Sequence, residues 1–296
     1  MRKNISFTFV PITKTLLDMN IYSLNCNGRL LTIDKPIVMG ILNATPDSFY
    51  NKGHNSALKD LLSTADKMLK DGATILDIGG MSTRPGHHEL TEQEEIDRIA
   101  PIVAAVRRAF PSAYLSIDTF RANVALTAAE EGIDMINDIS GGTLDDFMIP
   151  TVATLSLPYI AMHMQGALQY MQDAPCYEDV VKEVLDFGAT MVQECRNAGI
   201  KDVMFDPGFG FGKTIAHNFE LLKGLHAFEI LDVPILVGLS RKSMLYKLLE
   251  HTPEAALNAT SIVNTLALQQ GAHILRVHDV KEAMECIRIL DFMEHV

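Results

Sequence analysis

Eight short apolar runs, each ending abruptly in a polar or charged residue, constrain the fold more than any other feature of this chain. The ends are Asn43, Asp77, Asp118, Asn137, His163, Asp206, Ser240 and Arg276. The runs before them (VMGILN, ATILDIG, AYLSID, DMIND, YIAMH, DVMFD, ILVGLS, ILRVHD) are too short for core helices. Apolar runs without alternation read as strands buried on both faces. Longer stretches with helical spacing separate most of them. Strand and helix alternating through eight units predict an α/β fold, a closed (β/α)8 TIM barrel, whose chemistry sits at the C-terminal strand ends. In this chain those ends carry the polar residues.

At 296 residues the chain is long enough for one barrel or two smaller domains, and no linker, charge block or close repeat favours two. A hydrophobic fraction of 48% supplies a large core without a membrane-length apolar run. The formal net charge of −12, with basic residues scattered, argues against nucleic acid or an anionic membrane as partner. Cys26, Cys176, Cys195 and Cys286 are far apart and lack metal-ligand spacing, which reads as reduced thiols in a cytoplasmic protein. The stretch ISFTFVPITKTLL is broken by polar residues and makes a poor signal peptide. Residues 1–18 read as a poorly ordered tail, and residues 19–296 as the barrel domain, opened by a β-hairpin in YSLNCNGRLLTIDKP.

Strands are expected at 37–43, 74–78, 114–118, 134–137, 158–163, 203–206, 234–239 and 273–277. Helices are expected over 56–71, from a capping box at Thr91, directly after Thr119, and over 178–198, 241–250 and 254–270.

The loops after the strands carry the chemical signal. Asn43-Ala-Thr-Pro-Asp-Ser-Phe combines a rigid turn with short hydrogen-bonding side chains, and taken alone is as readily an ordinary polar turn. In Asp77-Ile-Gly-Gly-Met-Ser-Thr-Arg-Pro-Gly the paired glycines let backbone approach a ligand, and Ser82, Thr83 and Arg84 suit an anion. Asp206-Pro-Gly-Phe-Gly-Phe-Gly-Lys places a carboxylate at a strand end ahead of what reads as a mobile aromatic loop. Ser240-Arg-Lys-Ser puts two cations and two hydroxyls where a helix begins, a position suited to carboxylates and phosphates. In Arg276-Val-His-Asp, alternation sets Arg276 and His278 on one side. A lone Arg or His at a strand end is more often structural; two beside another anion site favour phosphate.

As an ordered set these loops resemble the dihydropteroate synthase family, pterin-binding barrel enzymes of folate biosynthesis. The resemblance runs from about residue 22 to the C-terminus. It is carried by GILNATPDSF (40–49), DIGGMSTRPG (77–86), SIDTFR (116–121), NDISGG (137–142), MHMQG (162–166), DPGFGFGKT (206–214), GLSRKS (238–243) and RVHDV (276–280). It implies condensation of 6-hydroxymethyl-7,8-dihydropterin diphosphate with p-aminobenzoate to 7,8-dihydropteroate and diphosphate. In that reading Asp206 accepts from the pterin N3–H and 2-amino group, Asn137 meets the mixed part of the ring, and Asp118 faces the pyrazine side. Lys242 donates to O4, while Ile139 and Met162 contact the ring faces. The diphosphate meets Asn43, Thr83, Arg84, Arg276 and His278, with Mg²⁺ bridging its oxygens and Asn43. Thr83, Arg84 and Pro85 close the p-aminobenzoate pocket, Phe211 and the Lys242 stem sandwich its ring, and Ser243 holds its carboxylate. The catalytic set is Asp118, Lys242, Arg276 and His278, acting in a dissociative reaction without a covalent nucleophile. The resemblance also implies a homodimer through helices of the last two units, where ATSIVNTLAL (259–268) is suitably apolar.

Three segments depart from the family pattern: Asn51-Lys52 where an acidic residue and a glycine are usual, Met81 before Ser-Thr-Arg-Pro-Gly, and Ala167-Leu168 after MHMQG. They bear on first-loop function and turnover, not on the pterin pocket. One rival is a methyltetrahydrofolate-binding corrinoid methyltransferase, which shares the pterin pocket but needs neither Thr83-Arg84-Pro85 nor Lys242-Ser243. Another is a catalytically weak pterin-binding paralogue, which the altered loops motivate.

Overall fold

The computed structural model describes residues 19–44, 54–80, 90–166 and 174–296. The chain enters through a hairpin, β1 (Tyr22–Cys26) and β2 (Arg29–Ile33), whose turn holds Asn27 and Gly28 at positive φ. The barrel strands follow: β3 (Ile37–Asn43), β4 (Ile75–Gly79), β5 (Tyr114–Asp118), β6 (Met135–Asp138), β7 (Tyr159–Met162), β8 (Val203–Asp206), β9 (Leu236–Val237) and β10 (Ile274–Val277). All pair in parallel in the order β8-β7-β6-β5-β4-β3-β10-β9. A parallel bridge between Phe205 and Ile235, with the Phe205 N–H donating to the Pro234 carbonyl, joins the two ends of that sheet.

The outer helices are α1 (His54–Asp71), α2 (Glu92–Ala109), α3 (Ala122–Glu130), α4 (Met148–Leu155), α5 (Val180–Asn197), α6 (Ile215–Lys223), α7 (Ser243–Leu248), α8 (Leu257–Gln269) and α9 (Val280–Glu294), with 3-10 turns at Leu225–Leu231 and Pro253–Ala256. The Thr91 capping box is formed, Thr91 and Glu94 each satisfying the other's backbone N–H. Other boundaries differ from expectation, among them three around the barrel's later units and β5. The helix after β5 waits until Ala122, because Arg121 is extended and serves as its N-cap. The stretch expected as helix from 241 begins at Ser243, because Arg241 has φ +54° and cannot start a right-handed helix. The seventh strand shrinks to Leu236–Val237.

In a parallel barrel, residues in register share a face, so one inward ring fixes the rest. Met39, Ile75, Met135, Ile160, Met204, Leu236 and Ile274 fill the lower interior together with Leu24, Cys26, Leu31 and Ile33 of the hairpin. Burying each such side chain stabilises the fold by roughly 1.5–3 kcal/mol. The alternate residues point outward into the larger core beneath the helices. Two residues further along β4, β6, β8 and β10 the inward positions become polar (Asp77, Asn137, Asp206 and Arg276), and there the barrel opens.

Candidate active site

The upper inward positions are Asn43 on β3, Asp77 and Gly79 on β4, Asp118 on β5, Asn137 on β6, Met162 on β7, Asp206 on β8 and Arg276 on β10. They follow from the registers Asn43↔Gly79↔Asp118↔Asn137, Asp77↔Ser116 and Met162↔Asp206. At two glycines of the mouth an added Cβ would meet its neighbours only at ordinary van der Waals distance, so glycine there widens the opening without being sterically required. A Cβ on Gly79 would sit 3.7 Å from Asp118 and 3.8 Å from Asn43 Oδ1, and one on Gly238 would sit 3.9 Å from Asp206 Oδ2.

Arg276 organises the charge. Its Nε donates to Asp77 Oδ2 at 2.6 Å and its Nη2 to Asp118 Oδ2 at 2.5 Å. Burial works against the guanidinium charge, but Asp77 and Asp118 outweigh it and hold Arg276 protonated. Burial raises the Asp118 carboxyl to about 7, opposed by Arg276 and reinforced by Asp77, Glu95 and Asp138. Asp206 is also raised by burial, although the Gly208 N–H donates to its Oδ1 at 2.8 Å. Lys242 is lowered to about 8 by burial, with Asp206 pulling it back up. The mouth therefore holds one acid, Asp118, and one lysine, Lys242, that change charge close to neutrality.

The ring-contact residues also converge. Phe120, Ile139 and Met162 form a small buried cluster with Met164 and Phe211 packed against it. Lys242 Nζ stands 4.2 Å from the centroid of the Phe211 ring. An aromatic ring taken between Phe211 and Lys242 must displace that ammonium. His278 Nδ1 lies 3.0 Å from Ser240 Oγ, which also accepts the His278 backbone N–H at 3.2 Å. Ser243 is the half-buried first residue of α7.

Several sequence expectations are corrected here. Of the two cations in Ser240-Arg-Lys-Ser, Arg241 is committed elsewhere: it grips both oxygens of Asp279 at 2.8 and 2.9 Å and the carbonyls of Pro253 and Glu254. Only Lys242 is left for the mouth. The strand expected to end in His163 ends at Met162, and His163 turns outward, edge-on to Phe187 at 5.0 Å. The loop after Asp206 is tied down rather than mobile. Its Gly210 N–H donates to Asn218 Oδ1, and Phe209 is buried. Lys213 donates to the carbonyls of Gly208 (2.9 Å) and Phe211 (3.1 Å) and lies 2.9 Å from His163 Nδ1. Gly208, at φ +72°, lies so close to the His163 carbonyl that a Cβ would be 1.8 Å from it, so no other residue fits. Thr83, Arg84, Pro85, Met81, Asn51, Lys52, Ala167 and Leu168 lie outside the described residues.

Two buried residues escaped the sequence reading. Lys213 was visible only as the end of a glycine run. Asp77 stood at a strand end but took no role, because nothing in sequence shows that it faces Arg276 and Asn137.

Comparison with known proteins agrees with this geometry. The family described as pterin binding enzyme matches residues 39–278. The dihydropteroate synthase of Escherichia coli K12 is 42% identical over 89% of this chain and 94% of its own length. The chain belongs to the dihydropteroate synthase family. It is accordingly a transferase. Among solved structures, a Xanthomonas albilineans dihydropteroate synthase with 4-aminobenzoic acid superposes with a TM-score of 0.86, at 38% identity, over 94% of this chain and 100% of that one. Another from that organism, in complex with 7,8-dihydropteroate, gives 0.83 at 36% identity, covering 93% and 100%.

Proposed function

We propose that this chain joins 6-hydroxymethyl-7,8-dihydropterin diphosphate to p-aminobenzoate, releasing 7,8-dihydropteroate and diphosphate. The observation that carries the reading is the inward polar set Asp118, Asn137, Asp206, Lys242 and Arg276 at one barrel mouth, beside the apolar cluster of Ile139, Met162 and Phe211. A pterin slides edge-on between these groups. Asp206 accepts from N3–H and the 2-amino group, Asn137 meets the N1 side, Lys242 donates to O4, and Ile139 and Met162 cover the faces. Charge-assisted bonds in a water-poor site are the strong ones, and they reject analogues that leave a buried group unpaired.

The diphosphate faces Arg276 and His278. Ser240 Oγ, which accepts the His278 backbone N–H, turns its own proton to Nδ1 and so leaves the ring proton on Nε2. An arriving diphosphate competes with Asp118 for the Arg276 Nη groups, while Nε stays on Asp77. Cleavage of the exocyclic C–O bond leaves the electron pair on diphosphate, stabilised by Arg276, and a cation on the pterin methylene, stabilised by the uncovered Asp118. The aniline nitrogen attacks that carbon and gives up a proton. Phe211 and the Lys242 stem flank its ring, Ser243 holds its carboxylate, and Thr83, Arg84 and Pro85 complete the pocket. Among the described residues no cluster of His, Cys, Asp or Glu forms a metal cage, but the Asn43 amide oxygen is a hard donor at the strand end, which fits a Mg²⁺ held mostly by water and phosphate. When bound, Mg²⁺ would neutralise charge on the leaving diphosphate.

The reading takes residues 19–296 as one cytoplasmic domain, which suits the buried thiols of Cys26, Cys195 and Cys286, and no described helix is long and apolar enough to cross a membrane. It also includes a homodimer. Exposed Ile262 and Leu266 on α8 and Ile289, Phe292 and Met293 on α9 give adjacent helices an apolar outer surface. A coupled assay for diphosphate release tests the activity: release should require the pterin diphosphate and p-aminobenzoate together, and release indifferent to p-aminobenzoate would refute synthase chemistry.

A further inference from the structure

We propose that Asp77 is a positioning residue that fixes which hydrogen-bonding face Asn137 presents, and so sets the donor–acceptor pattern the pterin pocket accepts. This deepens, and rests on, the pterin reading above.

Asp77 is fully buried on β4, and its Oδ2 receives two donors, Arg276 Nε at 2.6 Å and Asn137 Nδ2 at 3.0 Å. A carboxylate that close to a guanidinium is an acceptor only, so the half of the Asn137 amide turned toward it must be the NH2. The amide carbonyl is thereby directed away from Asp77, and none of the described residues donates to it. Asn137 then offers a ligand its Oδ1 and its remaining N–H side by side, an acceptor next to a donor. An amino group beside an unprotonated ring nitrogen matches that pattern. A carbonyl beside a protonated ring nitrogen inverts it at both positions. Asp77 Oδ1 and Ser116 Oγ, which project from register-paired positions of β4 and β5, have no hydrogen-bond partner among the described residues. With Oδ1 still open, Asp77 can take a further donor such as the Ser116 hydroxyl without releasing Asn137 from Oδ2. The same oxygen holds Arg276 by Nε and leaves the Nη groups to the mouth. One buried atom thus orients both the group that reads the ring edge and the group that faces the diphosphate.

The test is a ratio. Calorimetry on the full chain would compare 6-hydroxymethylpterin with its 2-oxo analogue, in the unaltered protein and in Asp77→Asn. An amide at position 77 can either donate or accept, so Asn137 is free to flip. The unaltered protein should prefer the pterin, and the variant should narrow that preference by about tenfold or more, because pairing to the 2-oxo edge improves as pairing to the 2-amino edge is lost. Equal weakening toward both ligands, or no change, would mean that Asp77 is only a counter-ion, and the inference fails. If the variant does not fold, side-chain amide NMR of the unaltered protein decides. The Asn137 pair, assigned by its loss in Asn137→Ser, should keep one slowly exchanging proton without ligand and shift mainly the other proton when pterin is added. Two protons that exchange and shift alike would overturn the idea. Failure of the unaltered protein to bind either ligand defeats the pterin reading itself, which is distinguishable from a failure confined to the variant.

Discussion

Two clusters of arginine and aspartate occupy opposite ends of the barrel, and their stoichiometries are inverted. At the lower end Asp134 receives Arg29 at 2.8 Å, Arg107 at 2.5 Å and the Leu115 N–H at 2.8 Å, so two cations serve one carboxylate. The two guanidiniums also hold the carbonyls of Ser112, Ala113, Pro111 and Gly132. At the mouth one guanidinium serves two carboxylates, and Asp77 keeps an oxygen with no partner among the described residues. A cluster in which two cations share one carboxylate oxygen fastens loops to one another. An unsaturated one is unfinished until something else arrives, so its cost is a form of readiness.

The strongest way to break this contrast is to remove one member from each end. Arg276→Met should lower kcat/KM by on the order of 1,000-fold, because the leaving diphosphate loses its main cation. Asp134→Ala should instead cost roughly 2–4 kcal/mol of stability, a figure reduced because Arg29 is partly exposed, with near-normal kinetics. Denaturant titration and steady-state kinetics on both variants would decide. Near-normal kcat/KM in Arg276→Met, or a comparable loss of it in Asp134→Ala, would erase the distinction between the ends.

A smaller effect should come from Asp206→Asn, which keeps the shape but turns a donor toward the ligand N–H groups. Such a mismatch costs about 1–3 kcal/mol, hence roughly 5- to 150-fold in pterin affinity with folding intact. Unchanged affinity by calorimetry would remove Asp206 from the pocket.

The smallest is a pH signature confined to the mouth. Asp118, raised to about 7, is anionic only above that value, and Lys242, lowered to about 8, is cationic only below it. The kcat/KM profile should therefore rise through about 7 and fall through about 8. Asp118→Asn should flatten the acid limb and spare the alkaline one. An acid limb already flat in the unaltered enzyme would mean that Arg276 overcomes burial and keeps Asp118 ionised throughout.

The sequence displayed strand ends far better than it displayed partners. Asn43, Asp118, Asn137, Asp206 and Arg276 were legible because each closes an apolar run, and burial on both faces leaves a strong signature. The seventh strand was overextended because Pro234 supplies no N–H to a ladder and Gly238 ends it, although VPILVG reads as one continuous run. Helix α4 carries Pro150, and α6 with its 3-10 continuation follows a glycine-rich stretch, so neither stood out. Asp138 sits directly after Asn137 yet points outward, where Ser140, Gly142 and Tyr159 donate to it. Only the pleat assigns the two neighbours to opposite faces. Arg241 and Lys242 divide in the same way, one into a clamp and one into the mouth, and a charge count treats them as equals.

The hairpin that fills the lower interior makes the barrel a vessel with a single door. Among the described residues the end that bears Asp206 and Asn137 is also the end where Phe211 packs against Ile139 and Met162, so entry and exit share that end. On the function proposed above, traffic through such a site would be a stack, with the pterin going in beneath p-aminobenzoate and the joined product withdrawing with its pterin end last.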